Sequence, residues 1–213
     1  MAAASLQNFK LSSHEKAQRS SITVAGTPGV RLVPVGPWIL EDVDLISDLA
    51  HWRAANSHMF FSQFPESTES MRQYLIDNTI SDHRYVLFLI ENDSGDPLGH
   101  LGLKLIGADT AEVDSVMKSP SCRTPGLMDR CLKTLVTIAG QDLKIDELRL
   151  EVVSSNSRAI GLYVVNGFRE VARSPLFRTE SEGHINHIKV LPENSNVDFF
   201  SLTMMRKTDR ESS

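Results

Sequence analysis

The chain has 213 residues, enough for one domain with a sizeable core and little room for a second. Hydrophobic residues make up 41%, charged residues 23%, and the net charge is −5. That balance excludes collagen, coiled coil and wholesale disorder, and it weighs against a general nucleic-acid binder, which needs a basic face for phosphates.

Residues 1–29 carry few large apolar side chains and close on Gly26-Thr27-Pro28-Gly29. They read as a flexible arm ahead of a domain that spans 30–207, with a short tail at 208–213. Arg31–Val35 reads as a first strand before Gly36-Pro37. Asp42 can cap a helix with Val43, Ile46, Leu49 and Ala50 on one face. An aromatic stretch from His51 to Phe64 ends at Pro65, and Ser67 or Thr68 caps a second helix. The apolar run Tyr85–Ile90 is a central strand. It turns through Asn92-Asp93-Ser94-Gly95-Asp96-Pro97 into Leu98–Ile106, where Gly99 and Gly102 mark a bulge.

Thr110–Lys118 is the next strand. A loop, Ser119–Pro125, leads to the strongest helix, with Leu127, Cys131, Leu135 and Ile138 in one stripe. Glu147–Val153 is a strand, Asn156 caps a helix over 157–166, and Gly167 closes it. Phe168–Ala172 is a strand, 173–197 is polar and irregular, and Asp198–Met205 is the last strand. The order predicts an α/β (α+β) fold: a mixed, largely antiparallel sheet of about seven strands with helices on both faces. Cys122 and Cys131 form no CxxC pair, and no apolar run is long enough to span a membrane. The reading is therefore a reduced cytoplasmic protein without a disulfide framework, a thiolate metal site or a membrane span.

Two segments carry chemistry. Ser119-Pro120-Ser121-Cys122-Arg123-Thr124-Pro125-Gly126-Leu127-Met128 joins a strand to a helix N-terminus, where free N–H groups and the helix dipole favour an anion such as a pyrophosphate. Lys118, Arg123, Arg130 and Lys133 add four positive charges against Asp129. In the second segment, residues 156–168, Tyr163 follows Asn156 by about two turns on one helix face. An amide and a phenol so placed can hold a polar chain and give up a proton.

Together these segments resemble the GNAT acyltransferase superfamily. Asn156, Arg158-Ala159, Leu162-Tyr163 and Gly167-Phe168 match its second motif. Pro120, Arg123 and Gly126 match its pyrophosphate motif, while Met128 stands where a small residue is usual and Pro125 removes one N–H. The resemblance covers roughly residues 30–205. It implies acetyl-CoA or another acyl-CoA as co-substrate, no metal, and direct attack of an amine on the thioester. Strands 110–118 and 147–153 would part, with the pantetheine against Val116, Met117 and Lys118. The pyrophosphate would lie on Thr124, Gly126, Leu127 and Met128, with Arg123 and Arg158 near it. Asn156 would bond the pantetheine, and Tyr163 would protonate the leaving thiolate.

The expected base is Glu112 or Asp114, which regular alternation puts on one face with Val116, with ordered water as the alternative that many members of the superfamily use. The run His51-Trp52-Arg53-Ala54-Ala55-Asn56 resembles the branch that acylates nucleotide-linked amino sugars, which makes a nucleotide sugar the expected small-molecule acceptor. The same layout occurs in ribosomal-protein and polyamine acetyltransferases. A protein N-terminus, a small amine or an antibiotic therefore stands as the alternative acceptor, and a non-catalytic acyl-CoA-binding protein as a further one. Trp52, Arg53, Phe60, Phe61 and Phe64, with His184 and His187 from the polar segment, are expected to line the acceptor pocket. Glu151 is a further candidate there, and Arg173, Arg178 and Lys189 would supply positive charge for a diphosphate. No nucleic-acid or membrane partner is implied, and a homodimer is left open.

Overall fold

The computed structural model describes residues 6–63, 67–181, 184–189 and 197–208. In chain order the elements are α1 (His14–Arg19), β1 (Ile22–Thr23), β2 (Val30–Pro34), α2 (Val43–Ala55), β3 (Ser62–Gln63), α3 (Thr68–Tyr74), β4 (Tyr85–Asn92), β5 (Pro97–Leu105), β6 (Thr110–Lys118), α4 (Leu127–Gln141), β7 (Glu147–Val153), α5 (Ser157–Val165), β8 (Arg169–Ser181), β9 (His184–Ile188) and β10 (Val197–Lys207). The strands form one mixed sheet in the order β1-β2-β4-β5-β6-β7-β10-β8-β9-β3. Among the described residues only β6 and β7 pair in parallel.

Among the described residues the sheet has ten strands rather than about seven. Two of the additions, β1 and β3, are two residues long, too short to carry a period. The third, β9, lies with the extension of β8 in the segment expected to be irregular. Its register on β8 runs from Phe177↔Ile188 to Ser181↔His184.

Each face of the sheet carries its own core. On one, α4 lays Leu127, Cys131, Leu132 and Leu135 against Phe88, Leu103, Val113 and Leu150. On the other, Leu45, Ile46, Leu49 and Trp52 of α2 meet Val33, Leu87, Leu89 and Met117. Asp42 caps α2 by accepting from the Leu45 N–H at 2.9 Å. Val43, expected on the buried stripe, is 54% exposed, because the stripe runs through Leu45 and Trp52 instead.

Residues 6–24 do not behave as a flexible arm. Leu6 and Val24 are buried in the α4-side core, Ala17 is buried in the α2-side core, and Phe9 meets Phe88 edge-on. The segment thus wraps the β2 edge of the sheet. Its backbone passes so close to Gly36 that a Cβ there would lie 2.2 Å from the Leu11 carbonyl oxygen. Glu91 is 1% exposed, and its carboxylate accepts from Gln18 Nε2 and pairs with His14 Nε2 at 2.7 Å. The Lys10 ammonium donates to the Thr79 carbonyl, and burial lowers its pKa to about 8 against the pull of Asp82.

Candidate active site

β6 and β7 pair only through Thr110↔Glu147, Ala111↔Leu148 and Glu112↔Arg149. Beyond Glu112 they part, and the fork opens a cleft of about 540 Å³. Val116, Met117 and Lys118 form one wall. Thr124, Pro125, Gly126, Leu127 and Met128 form the floor, Asn156, Arg158, Ala159 and Leu162 the opposite wall, and Asn56, Met59 and Phe60 the third side.

Gly126 sits at the α4 N-terminus with φ +64°, and no side chain caps the helix there. The first-turn N–H groups therefore face the cleft, as an anion site requires. Asn156 lines the cleft and caps α5, its Oδ1 accepting from the Ala159 N–H at 3.1 Å. Gly167, φ +81°, closes α5 as expected.

The expected cations divide. Lys118 and Arg158 line the cleft. Arg123 lies instead in a neighbouring groove with Asp48, Trp52 and Pro120, because the loop turns it outward after Cys122. Arg130 donates to the Pro125 carbonyl at 2.8 Å and to Thr27, which fixes the loop, and Lys133 pairs with Asp129 at 2.8 Å.

Tyr163 is 7% exposed, one position beyond Leu162, with its ring edge-on to Phe168 at 5.9 Å. It is not itself among the residues of the cleft wall. Burial raises its pKa, and the Asp114 charge raises it further, so the phenol keeps its proton at neutral pH.

Tyr85 and Met117 lie on the α2 face of the sheet. Cross-strand partners share a face, so Tyr85–Lys104–Glu112 and Leu87–Gly102–Asp114 form rows on it. Val116 does not join Glu112 and Asp114 as regular alternation predicts. The β5–β6 register slips between Gly102↔Asp114 and His100↔Met117, and the extra β6 residue turns Val116 toward the α4-side core. The last parallel pair is Glu112↔Arg149, and the charges of Asp114 and Glu151 both reach Glu112 where the strands separate. Burial raises the Glu112 pKa, as do the charges of Asp114 and Glu151. Gly102 leaves room for the Tyr85 hydroxyl, 2.3 Å from where a Cβ would stand.

Phe61 and His187 are brought together, since the His187 N–H donates to the Phe61 carbonyl at 2.7 Å where β3 joins β9. The His187 side chain is buried and paired with Asp198 at 2.7 Å. His184, three residues away on the same strand, is exposed. No group of three His, Cys, Asp or Glu that could hold a metal occurs among the described residues. No helix among them is long and apolar enough to cross a membrane. Trp52 is 7% exposed and stacks on His100 at 6.3 Å, so it is a wall rather than an open platform. Arg53 lies 4.3 Å from the Phe60 ring and donates to the Ser62 carbonyl. Phe64 lies outside the described residues. Arg173 is paired with Glu170, Arg178 with Glu180 and Lys189 with Glu151, so the expected diphosphate-binding cations already carry carboxylate partners.

Phe60, expected in the acceptor pocket, lines both the cleft and a small enclosed cavity behind it. Sequence reasoning missed Asn166, whose Nδ2 donates to Asp129 at 2.9 Å and ties α5 to the start of α4. A forked parallel strand pair with a helix N-terminus at its base defines an acyl-CoA-dependent transferase fold. The family model described as acetyltransferase (GNAT) matches residues 49–168, more than half of the chain. The chain belongs to that family and is an N-acetyltransferase that uses acetyl-CoA as co-substrate.

No curated protein matches the chain by sequence. Among solved structures, it is similar to a spermidine N-acetyltransferase from Vibrio cholerae in complex with CoA and spermine, at 15% identity and TM-score 0.62, over 85% of this chain and 97% of that one. It is also similar to a ribosomal alpha-N-protein acetyltransferase (RimL) in complex with coenzyme A, at 16% identity and TM-score 0.67, over 90% of this chain and 99% of that one.

Proposed function

We propose that the chain transfers an acetyl group to a primary amine carried by a small, cationic acceptor, which enters on the α2 face and reaches the thioester through the fork between β6 and β7. The observation that carries this reading is that Glu112 stands at the last paired position before the fork, within reach of the charges of Asp114 and Glu151. Glu112 and Asp114 there attract an ammonium group and give its proton somewhere to go, while Glu151 is paired with Lys189. Glu112, whose pKa is raised by burial and by the charges of Asp114 and Glu151, is the base in this reading.

The donor end fits acetyl-CoA. The pyrophosphate would rest on the α4 N-terminus beside Lys118 and Arg158, and the pantetheine would run past Asn156 along Val116–Lys118. Tyr163 holds the proton for the leaving thiolate. A covalent acyl-cysteine route has no support. Cys122 and Cys131 are both buried, and burial pushes the Cys131 thiol up to about 12.

A nucleotide-linked amino sugar, the acceptor implied by residues 51–56, finds little here. Its diphosphate needs free cations on this face, and Arg173, Arg178 and Lys189 are each engaged by a carboxylate. The spermine held by the similar Vibrio structure is an amine of the cationic kind that the carboxylates favour. A thiol-release assay with acetyl-CoA tests the reading against polyamines, peptides with free N-termini and nucleotide-linked amino sugars. Turnover confined to the last group would overturn the cationic-acceptor reading.

A further inference from the structure

Ser115 sits inside β6 with φ +51°, in the left-handed region, which a non-glycine residue rarely adopts. Two contacts hold it there. Its N–H donates to the Asp114 carboxylate at 2.6 Å. Its carbonyl oxygen lies 2.6 Å from His100 Nδ1, on the neighbouring strand. A carbonyl only accepts, so Nδ1 carries the proton and Nε2 is bare. Trp52 stacks on the His100 ring at an interplanar angle of 11°, and Met117 is its register partner on β6, so the ring is fixed from α2 and from the sheet.

The consequence follows from peptide geometry. In a trans peptide the C=O and the following N–H point in opposite directions. The Ser115 carbonyl is turned toward β5, so the Val116 N–H is turned away from it, toward β7 and the open fork. Val116 lines the cleft at the place where the thioester must lie for an amine near Asp114 to reach it. We propose that His100 is a positioning residue for acyl transfer: its Nδ1–H clamps the Ser115 carbonyl and so aims the Val116 N–H at the oxygen of the thioester as it becomes an oxyanion. The inference rests on the acyl-transfer reading of the fork given above.

Burial lowers the His100 pKa to about 4; the Ser115 carbonyl opposes that shift and the nearby Arg53 charge adds to it. The ring is therefore neutral across the pH range of an assay, and its single proton stays committed to the carbonyl. His100 acts by geometry and is neither acid nor base.

The test compares His100→Phe, which keeps a ring against Trp52 but has no donor, with His100→Asn, whose amide nitrogen can reach the same carbonyl. Losing an oxyanion donor costs about 10²–10³ in kcat, so a misdirected one in His100→Phe should cost on the order of 10²-fold. The acetyl-CoA Kd by calorimetry should stay within about 3-fold of wild type, and His100→Asn should recover most of kcat. His100→Leu replaces the phenylalanine variant if that one does not fold. A donor-less variant with wild-type kcat, an equal loss in Kd, or an asparagine variant as slow as phenylalanine would each overturn the proposal. A ¹⁵N spectrum of wild-type His100 gives an answer independent of turnover: Nδ1 protonated supports the clamp, and Nε2 protonated overturns it. If wild type acetylates no amine at all, the acyl-transfer reading fails, and the tautomer still decides the clamp.

Discussion

Replacing Gly126 with glutamate tests the donor site at its base. The residue is exposed at the α4 N-terminus, so the new carboxylate stands where two pyrophosphate charges would lie. At about 5 Å and an effective dielectric of about 20, each pair of like charges repels by roughly 3 kcal/mol. Lys118, Arg158 and solvent offset part of that sum, leaving about 3 kcal/mol in all, or roughly 10²-fold in Kd.

Gly126→Ala separates charge from backbone. Its Cβ would lie 2.9 Å from Arg130 Nη1, the far end of a flexible side chain, and the φ of +64° costs stability of about 1 kcal/mol. That cost falls on folding, so CoA affinity in the alanine variant should stay within about 3-fold of wild type. Calorimetry with CoA reads both. Equal affinities in the glutamate and alanine variants would show that the pyrophosphate does not rest on this helix.

Tyr163→Phe should lower kcat by on the order of 10²-fold with acetyl-CoA affinity little changed, measured by thiol release and calorimetry; a near-normal kcat would mean the thiolate leaves unaided. Leu6→Ala removes a side chain with no exposure and should cost about 2–5 kcal/mol, a melting temperature lower by roughly 5–15 °C, whereas an unchanged melt would restore the flexible arm. Glu112 has its folded pKa raised, so its protonation favours the fold and its ionisation at higher pH works against it. Glu112→Gln should therefore raise the melting temperature at pH 8 and change it little at pH 4, while lowering kcat at both; a stability gain confined to low pH would reverse the sign.

The sheet centre was legible because its strands carry unbroken signals. Tyr85–Ile90 is apolar throughout, and the turn at 92–97 ends where Gly95 supplies a φ of +83°. The α4 stripe and the Asn156 cap stand as the sequence predicts, since both are local patterns. What escaped depends on distant partners. Leu6, Phe9 and Leu11 share no period, and their packing comes from partners met only in the fold, as Phe9 meets Phe88.

The site shows the same division. The cleft wall at Val116–Lys118 and the floor at Thr124–Met128 were expected, because a loop entering a helix announces an anion site. The face of Val116 was not, because a serine gives no sign that it will adopt a left-handed φ and shift the alternation. Nor could the sequence show that Arg173, Arg178 and Lys189 are spoken for, or that His100 reaches a carbonyl fifteen positions away.

The most direct test of the account couples thiol release to mass analysis of the acceptor, with wild-type protein, acetyl-CoA and the three amine classes side by side. The account predicts one CoA thiol released for each acetyl group found on an amine nitrogen, fastest with the polyamines, and no acetylated protein when the acceptor is withheld. Acetyl-CoA that binds but is turned over with none of the amines, or an acetyl group that accumulates on the protein itself, would contradict it.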